Sequence, residues 1–169
     1  MYILKDSTVY LGKNLFGVAS KATAPEIDME TINIKTLGSI GEYNLNGGVK
    51  AMTSSLTITG FDKEVFSKVA NPYAEINLMI LGSIKKFENE NLVDELPAKL
   101  SIRGSSQKFS LLGELEAQSN IEQNIDFNVS AARLTINKKE IYNIDVINNI
   151  WIVNGVDLLA KMRKNLGLS

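Results

Sequence analysis

Apolar and polar residues alternate along much of this chain. In SSLTITG, the apolar residues Leu56 and Ile58 alternate with Ser55, Thr57 and Thr59. The stretches AKLSIRG and NIDFNVSAARLTI repeat this alternation. Successive side chains of a β-strand point to opposite faces, so a period of two predicts strands with one buried and one solvated face. The pattern therefore predicts a mainly β fold.

One run departs from the alternation. EINLMILGSI contains Ile76 and four consecutive apolar residues at positions 78–81. Apolar residues on both sides are typical of a strand that is covered on both faces. We therefore expect this strand either in the middle of the core or with its second face against another chain.

Turn residues separate the predicted strands. INKKEI predicts a tight hairpin turn. Asn46, Gly47 and Gly48 in NLNGGVKAM are residue types that accept the positive φ of tight turns. Gly38 and Gly41 come shortly before them. Together these residues predict a long central hairpin, residues 38–52, that is bent at its glycines.

A short internal helix is predicted over FDKEVFSKVANP. Asp62 can act as its N-cap, and Val65, Phe66 and Val69 fall on one face. Pro72 ends it, because the residue before a proline avoids the helical conformation.

A second helix is predicted at the end of the chain. Leu158, Leu159 and Met162 form its apolar side, and three basic residues lie in its last turn, where the helix dipole favours cations. Gly167 follows as a C-terminal cap. Residues 144–153, just before this helix, carry both a strand alternation and a helical stripe, and we favour the strand.

These elements predict one domain over residues 1–169, a mainly β barrel or sandwich with a short internal helix and a C-terminal helix. A chain of 169 residues can form one core, because a domain of this size typically buries ~70% of its unfolded surface. No apolar run approaches the ~20 residues of a membrane-spanning helix. We therefore expect no stable membrane binding.

Composition narrows the function further. The formal net charge is -1 and the chain contains neither cysteine nor histidine. The charge argues against a surface that grips nucleic acid. The missing residue types remove disulfides, thiolate metal sites, the usual general base at neutral pH and any Ser-His-Asp triad. We expect no catalysis, no cofactor and no metal.

The remaining candidate sites have simpler interpretations. Glu26, Asp28 and Glu30 in PEIDMET could bind a hard cation, but a solvated strand face is the better interpretation. KKFENENLVDE lacks the ligand spacing of an EF-hand and is interpreted as an exposed loop. Gly38 and Gly41 lack the third glycine of a dinucleotide fingerprint. The single tryptophan, at position 151, is interpreted as a core or interface residue.

The C-terminal run RLTINKKEIYNIDVINNIWIVNGVDLLAKMRKNLGL resembles the signature of the major tail tube proteins of contractile-tailed phages and R-type tailocins. Its specific features are ID...N, the following NGVD, and a short basic helix that ends in LGL. Weaker similarity covers LGKNLFGVASKATAPEI, NLNGGVKAMTSSLTITGFDKEVF and LSIRGSSQKFSLLGELEAQSN. The segment around residues 87–96 fits no pattern of that family.

The resemblance implies a tail-tube β-barrel with a flanking helix, a fold shared with the inner tubes of type VI secretion systems. It implies hexameric rings that stack into the inner tube of a contractile tail, a conduit for DNA or effectors. The implied partners are further copies of the chain, the tail sheath protein, the baseplate hub, the tail terminator and the tape measure protein. DNA is implied only as passing cargo. The implied location is a phage tail or tailocin particle, after synthesis and assembly in the host cytoplasm.

Two assembly regions follow from the resemblance. In the family, long hairpins of this kind line the lumen and pair between neighbours, so the glycines of the central hairpin would set its bends. At the C-terminus, Trp151 and the apolar helix side would be buried on the barrel or against a neighbour, with Asp157 in the first helical turn. The candidate interface residues are Gly41, Asn46, Gly47, Gly48, Trp151, Asn154, Gly155, Val156, Asp157, Leu158, Leu159 and Met162.

Two other interpretations remain open. The first is an inner-tube protein of a type VI or extracellular contractile injection system, which has a similar fold but works outside a virion. The second is a monomeric β-sandwich binding module, for example for carbohydrate. Such a module needs exposed aromatic residues in a groove, whereas only 7% of the residues are aromatic.

Overall fold

The computed structural model describes residues 1–15, 18–113 and 119–168, and this part of the chain contains eleven strands and two helices. The strands are β1 (Tyr2–Tyr10), β2 (Ala19–Thr23), β3 (Met29–Lys35), β4 (Glu42–Val49), β5 (Met52–Thr59), β6 (Ile76–Glu88), β7 (Asn91–Phe109), β8 (Glu122–Ile136), β9 (Lys139–Asp145), β10 (Ile150–Val153) and β11 (Val156–Asp157). The helices are α1 (Lys63–Val69) and α2 (Ala160–Asn165). The prediction of a mainly β fold with one internal and one C-terminal helix is confirmed.

Nine of these strands form one antiparallel sheet, which we call the main sheet. Its order is β1-β6-β7-β8-β9-β10-β11, and β5 pairs with both β2 and β8. β8 pairs with three strands: its residues 125–136 pair with β7, its residues 122–129 with β5 and its residues 131–136 with β9. Buried side chains from β1, β5, β6, β7 and β8 belong to a single apolar cluster. The main sheet therefore folds over one shared core.

The alternation predicted from the sequence is confirmed in the central strands. Leu56 and Ile58 of β5 are completely buried. On β8, Ile125, Phe127 and Val129 are buried while the residues between them are more exposed. Burying a leucine, isoleucine or phenylalanine side chain contributes about 1.5–3 kcal/mol. The inner face of these strands is thus a main source of stability.

β6 departs from its prediction. Ile76 and Leu78 are buried, but Met79 and Leu81 on the opposite face are only half-buried. The expectation of cover on both faces is therefore wrong for the single chain, because the main sheet packs its core against one face of β6 only. Contact of the second face with another chain stays a prediction.

α1 packs its apolar face onto the core. Asp62 caps the helix as predicted, and its carboxylate accepts hydrogen bonds from the N–H groups of Glu64 and Val65 at 3.0 and 3.1 Å. The Lys13 ammonium lies 2.7 Å from Asp62, and this hydrogen bond lowers the pKa of the carboxyl. Val65 and Val69 are buried. Capping and burial together keep this seven-residue helix folded.

Two turns connect long strands. The predicted turn of INKKEI is confirmed, since Asn137 and Lys138 have positive φ between β8 and β9. KKFENENLVDE, residues 85–95, is not the loop that was predicted. It forms the end of the β6–β7 hairpin, with Asn89 and Glu90 at positive φ in its turn. The sequence shows no alternation here, because an exposed hairpin end has no buried face that requires apolar residues.

Residues 144–153 are neither one continuous strand nor a helix. β9 ends at Asp145, a four-residue turn follows, and β10 begins at Ile150. Ile144 pairs with Trp151 across this hairpin. The strand interpretation is correct for both ends and wrong for the turn.

Candidate assembly surfaces

β3 and β4 form a separate two-stranded sheet, which we call the arm. Residues Ile32 and Leu45 lie opposite each other, as do Ile34 and Tyr43. Cross-strand partners share a face and side chains two apart along a strand do so too. These four residues therefore form one apolar face of the arm. Ile32, Tyr43 and Leu45 are 54%, 51% and 47% exposed, so this face is uncovered in the single chain.

The opposite face of the arm is polar. The Asn33 side chain donates a hydrogen bond to Asn44 at 3.1 Å. The Lys35 ammonium lies 3.1 Å from the Glu42 carboxylate. In both pairs the two residues lie directly opposite each other on β3 and β4. The polar face thus carries one cation and one anion that neutralise each other.

The tip of the arm is a turn at residues 36–41. Gly38 has φ 85°, a conformation that favours glycine. The Ser39 hydroxyl donates to the Gly41 carbonyl at 2.7 Å. Leu37 and Ile40 project from this turn and are fully exposed. The prediction that Gly38 and Gly41 mark the bend of the central hairpin is confirmed.

Asn46, Gly47 and Gly48 do not form a turn. They lie inside β4, and none of the three has a positive φ. Between the pairs Met29–Val49 and Thr31–Asn46, the two glycines oppose a single residue of β3, which is a β-bulge. The turn prediction for these residues is wrong, because a glycine pair suits a bulge as well as a turn. Sequence pattern alone does not separate the two.

The base of the arm is acidic. Glu26, Asp28 and Glu30 are all exposed, and Lys50 forms an ion pair with Asp28 at 2.8 Å. This hydrogen bond from Lys50 lowers the pKa of the Asp28 carboxyl. Glu26 and Asp28 precede β3 rather than lying on it. Within the described residues no group of three or more possible metal ligands comes together.

A second candidate region, residues 146–168, is called the C-terminal segment. Its first turn is anchored by Asp145, which is buried. The Arg103 guanidinium donates to this carboxylate at 2.6 Å, and the Asn148 side chain donates at 2.7 Å. The N–H groups of Ile147 and Asn148 donate to it at 3.1 Å each. Burial raises the pKa of Asp145, but these hydrogen bonds outweigh burial and the pKa is lowered overall.

This network explains two of the sequence motifs. ID...N supplies Asp145 and Asn148, and the RG pair supplies Arg103 together with Gly104. A Cβ at Gly104 would lie 1.9 Å from the Asn128 carbonyl oxygen, so only glycine lets β7 and β8 approach this closely. Sequence reasoning missed the ion pair between Arg103 and Asp145, because contacts separated by 42 residues leave no local signal.

Asn154 and Gly155 form the predicted turn, with φ of 49° and 83°. They connect β10 to β11, where Val153 pairs with the exposed Val156. Two residues at positive φ between paired strands are typical of a tight hairpin. The turn therefore folds the chain back along β10 before the helix begins.

Asp157 lies in β11 and not in the first helical turn. It forms an ion pair with Arg163 and accepts a hydrogen bond from the Leu159 N–H at 3.1 Å. Arg163 also donates to the Asn149 carbonyl at 2.8 Å. The hydrogen bond from Arg163 lowers the pKa of Asp157. The prediction that Asp157 lies in the first helical turn is therefore wrong. Its carboxylate connects β11 to α2 through the ion pair with Arg163, not through the helix dipole.

The predicted cap at Gly167 is confirmed. Gly167 has φ 70°, and its N–H donates to the Lys164 carbonyl at 3.2 Å. The Leu168 N–H donates to the Arg163 carbonyl at 2.9 Å. This pair of hydrogen bonds is the Schellman motif. It fixes the end of a helix of six residues, which is too short to be stable by itself.

The apolar residues of the C-terminal segment divide into two groups. Trp151 packs against the core, and Leu159 is half-buried. Leu158 and Met162 are 55% and 38% exposed. Their predicted burial on the barrel is therefore wrong. The ion pair of Arg163 with Asp157 holds the helix in place, and the apolar side of the helix does not. Burial against a neighbouring copy stays a prediction.

None of the helices in the described residues is long and apolar enough to cross a membrane.

Comparisons with known proteins agree on one family. Residues 2–167 match the family model described as phage tail tube protein FII. The tail tube protein of Escherichia phage P2 is 28% identical over 170 residues, and the match covers 98% of this chain and 96% of that protein.

Solved structures show the same fold. A chain from the sheath/tube terminator of PVC, an extracellular contractile injection system, superposes with a TM-score of 0.57 at 12% identity and covers 79% of this chain and 94% of that chain. A chain from the anti-feeding prophage cap, the AFP tube terminating cap, has a TM-score of 0.57 at 14% identity and covers 80% and 92%. At such low identity these likenesses establish the fold alone.

Proposed function

Because the chain belongs to the phage tail tube protein FII family, we propose that its copies stack as hexameric rings into the inner tube of a contractile phage tail or tailocin. The tube is the conduit for DNA or effectors, and DNA is passing cargo rather than a bound ligand. The role of the chain is structural and needs no catalytic site or cofactor.

The observation that carries this proposal is the uncovered apolar face of the arm. A two-stranded sheet is marginally stable in water unless its apolar face is covered. Ile32, Tyr43 and Leu45 stay about half exposed in the single chain. Contact with a neighbouring copy would remove them from water, and a repeating contact of this kind builds a ring or a filament.

The proposed partners follow from the family and from the assemblies of similar chains. They are the tail sheath protein, the baseplate hub, the tail terminator and the tape measure protein. Similar chains come from a PVC sheath-tube complex, a tube terminator and an AFP baseplate, which supports contacts with sheath and baseplate. The proposed location is the phage tail or tailocin particle, with assembly in the host cytoplasm.

A second candidate is the inner tube of an extracellular contractile injection system. The likeness in fold to chains of PVC and AFP favours it. The neighbouring genes separate the two candidates. Capsid and terminase genes are expected beside a phage tail gene, whereas the gene for an injection ATPase is expected beside an injection system.

The test is negative-stain electron microscopy of the purified protein over a concentration series, with light scattering on the same samples. We expect rings or hollow tubes of uniform diameter. If only monomers form, purified baseplates are added as nuclei. Monomers that neither polymerise alone nor extend from baseplates would contradict the proposal.

A truncated chain sharpens the test. Deleting residues 154–169 removes β11, α2 and the ion pair of Arg163 with Asp157. We expect this variant to form no tubes, because the C-terminal segment then lacks its fixed shape. Normal tubes from the truncated chain would rule out a role for these residues in assembly.

A further inference from the structure

We propose that the apolar face of one arm docks on the C-terminal segment of a neighbouring copy, with Glu30 of the arm opposite Lys161 and Lys164 of the neighbour. The proposal rests on the proposed function, and it specifies which two surfaces meet.

The arm side of the contact combines apolar surface with negative charge. Glu30 follows the same two-residue period as Ile32 and Ile34, so it lies on the apolar face near the base of the arm. Neither Glu30 nor Glu26 has an ion-pair partner among the described residues. Lys50 forms an ion pair with Asp28 and attracts Glu30 more weakly, so one lysine is shared by three carboxylates. The base of the arm therefore has an excess of negative charge beside exposed apolar side chains.

The C-terminal segment has the complementary chemistry. Leu158 and Met162 are exposed in and next to α2, and Ile147 is exposed in the preceding turn. Lys161 and Lys164 are exposed and form no ion pair within the described part of the chain. Apolar residues with opposite charges around them are what an interface core and rim require.

The C-terminal segment is also held in place by hydrogen bonds within the single chain. Asp145 fixes the turn at residues 146–149, and Arg163 ties α2 to that turn through Asn149. Arg163 is already paired with Asp157. Lys161 and Lys164 are therefore the cations of the C-terminal segment that remain unpaired within the described residues. A surface that is ordered before it binds loses less conformational entropy on association. These hydrogen bonds thus present exposed apolar residues in one fixed arrangement.

We assign a second copy of the chain as the partner of the arm, because the arm and the C-terminal segment are different surfaces and each occurs once in every chain. A contact between unlike surfaces is head-to-tail, and such a contact repeats from copy to copy. That repetition is what a ring or tube needs. A contact of the arm with its own symmetry mate would stop at two copies.

The first test reverses the charges. Glu30→Lys alone, and Lys161→Glu with Lys164→Glu, are each expected to raise the critical concentration for tube formation by about fivefold to tenfold, the scale of rim charges that change sign. All three substitutions together should restore assembly. The effect should shrink at high salt, since exposed charges are screened. Lys138→Glu with Lys139→Glu is the control, because it changes the net charge equally but away from the proposed contact. Any loss of assembly in this variant should not be reversed by Glu30→Lys.

The second test uses the absence of cysteine from the chain. Chains with Ile32→Cys are mixed with chains carrying Leu158→Cys, assembled, and treated with a short bis-maleimide cross-linker. We expect a cross-linked dimer that contains one chain of each kind. Thr31→Cys is the matched control, because its side chain lies on the polar face of the arm, and it should cross-link much less.

The outcomes separate this proposal from the tube function. Tubes that form without the Ile32–Leu158 cross-link, or single charge reversals that assemble like the unchanged protein, would overturn the pairing and leave the tube intact. Variants of the C-terminal segment that form normal bare tubes but fail to bind sheath would assign the segment to the sheath and also overturn the pairing. An unchanged protein that never polymerises counts against the proposed function itself.

Discussion

The main sheet and the arm are built from the same alternation of apolar and polar residues, yet only one of them covers its apolar side. On β8, Ile125, Phe127, Val129 and Ala132 are buried in the shared core. On β3 and β4, Ile32, Tyr43 and Leu45 remain about half exposed. The difference lies in the number of neighbours, since β8 pairs with three strands and each strand of the arm pairs only with the other. Alternation indicates a face to be covered, and the tertiary structure decides what covers it.

The largest expected effect comes from the core of the main sheet. Phe127→Ala should lower the free energy of unfolding by about 3–5 kcal/mol, because the truncation leaves a cavity in a packed core. Ile32→Ala on the arm is the matched change and should cost less than about 0.5 kcal/mol, as surface changes do. Urea unfolding of both variants measures the difference. Equal losses would show that the arm is covered in the single chain after all.

The next effect separates the two faces of the arm. Ile32→Asp should abolish tubes at concentrations where the unchanged protein polymerises, because a carboxylate cannot be buried unpaired at a contact. The neighbouring change Thr31→Asp lies on the polar face and should assemble. Electron microscopy reads out assembly, and circular dichroism checks that both variants fold. Tubes from both variants would mean that the apolar face is not an interface.

A smaller effect is expected from single substitutions at the bulge. A Cβ at Gly47 would lie 3.3 Å from the Glu30 carbonyl oxygen and 3.4 Å from the Ile32 side chain, whereas one at Gly48 meets nothing within 4 Å. Gly47→Val should therefore weaken assembly more than Gly48→Val does. The double variant should block assembly while the monomer stays folded by circular dichroism. The critical concentration from light scattering ranks the variants, and the reverse order would contradict the role given to the bulge.

The smallest effect is a dependence on acid. The folded pKa values of Asp145 and Asp157 are lowered. Their contribution to stability is therefore full above the unfolded value of about 3.9. It is lost as the pH falls through the lower folded values. Trp151 is the only tryptophan and packs beside this region, so its fluorescence should change below about pH 4. Asp157→Asn should reduce this acid response, and an identical titration would contradict the assignment.

The sequence was a reliable guide where short-range rules apply. Asp62 as a helix cap, Asn154 with Gly155 as a turn, and Gly167 as a helix end are confirmed. Each depends on residues within a few positions of one another. The hairpin end in KKFENENLVDE was missed, because its charged residues carry no alternation that a local rule detects.

The candidate assembly residues were predictable only as regions. The glycines of the central hairpin belong to the arm, but Gly47 and Gly48 form a bulge rather than a turn. Leu158 lies just before the C-terminal helix and Met162 lies in it, but both remain exposed. In each region the residue types indicated a special position, and their partners across the sheet decided which position it was.

The sequence by itself determined the strand alternation, the helix cap, the tight turns at residues 137–138 and 154–155 and the near-neutral charge, because each depends on residues close along the chain or on composition. Only the tertiary structure decided that Arg103 anchors Asp145, that β3 and β4 leave the main sheet, and that Arg163 holds the last helix through Asp157. The first depends on the register of strands that are distant in sequence, and the second depends on which strands pair with one another. The position of the last helix could be fixed by packing of its apolar side or by an ion pair. In the folded chain, the ion pair of Arg163 with Asp157 fixes it.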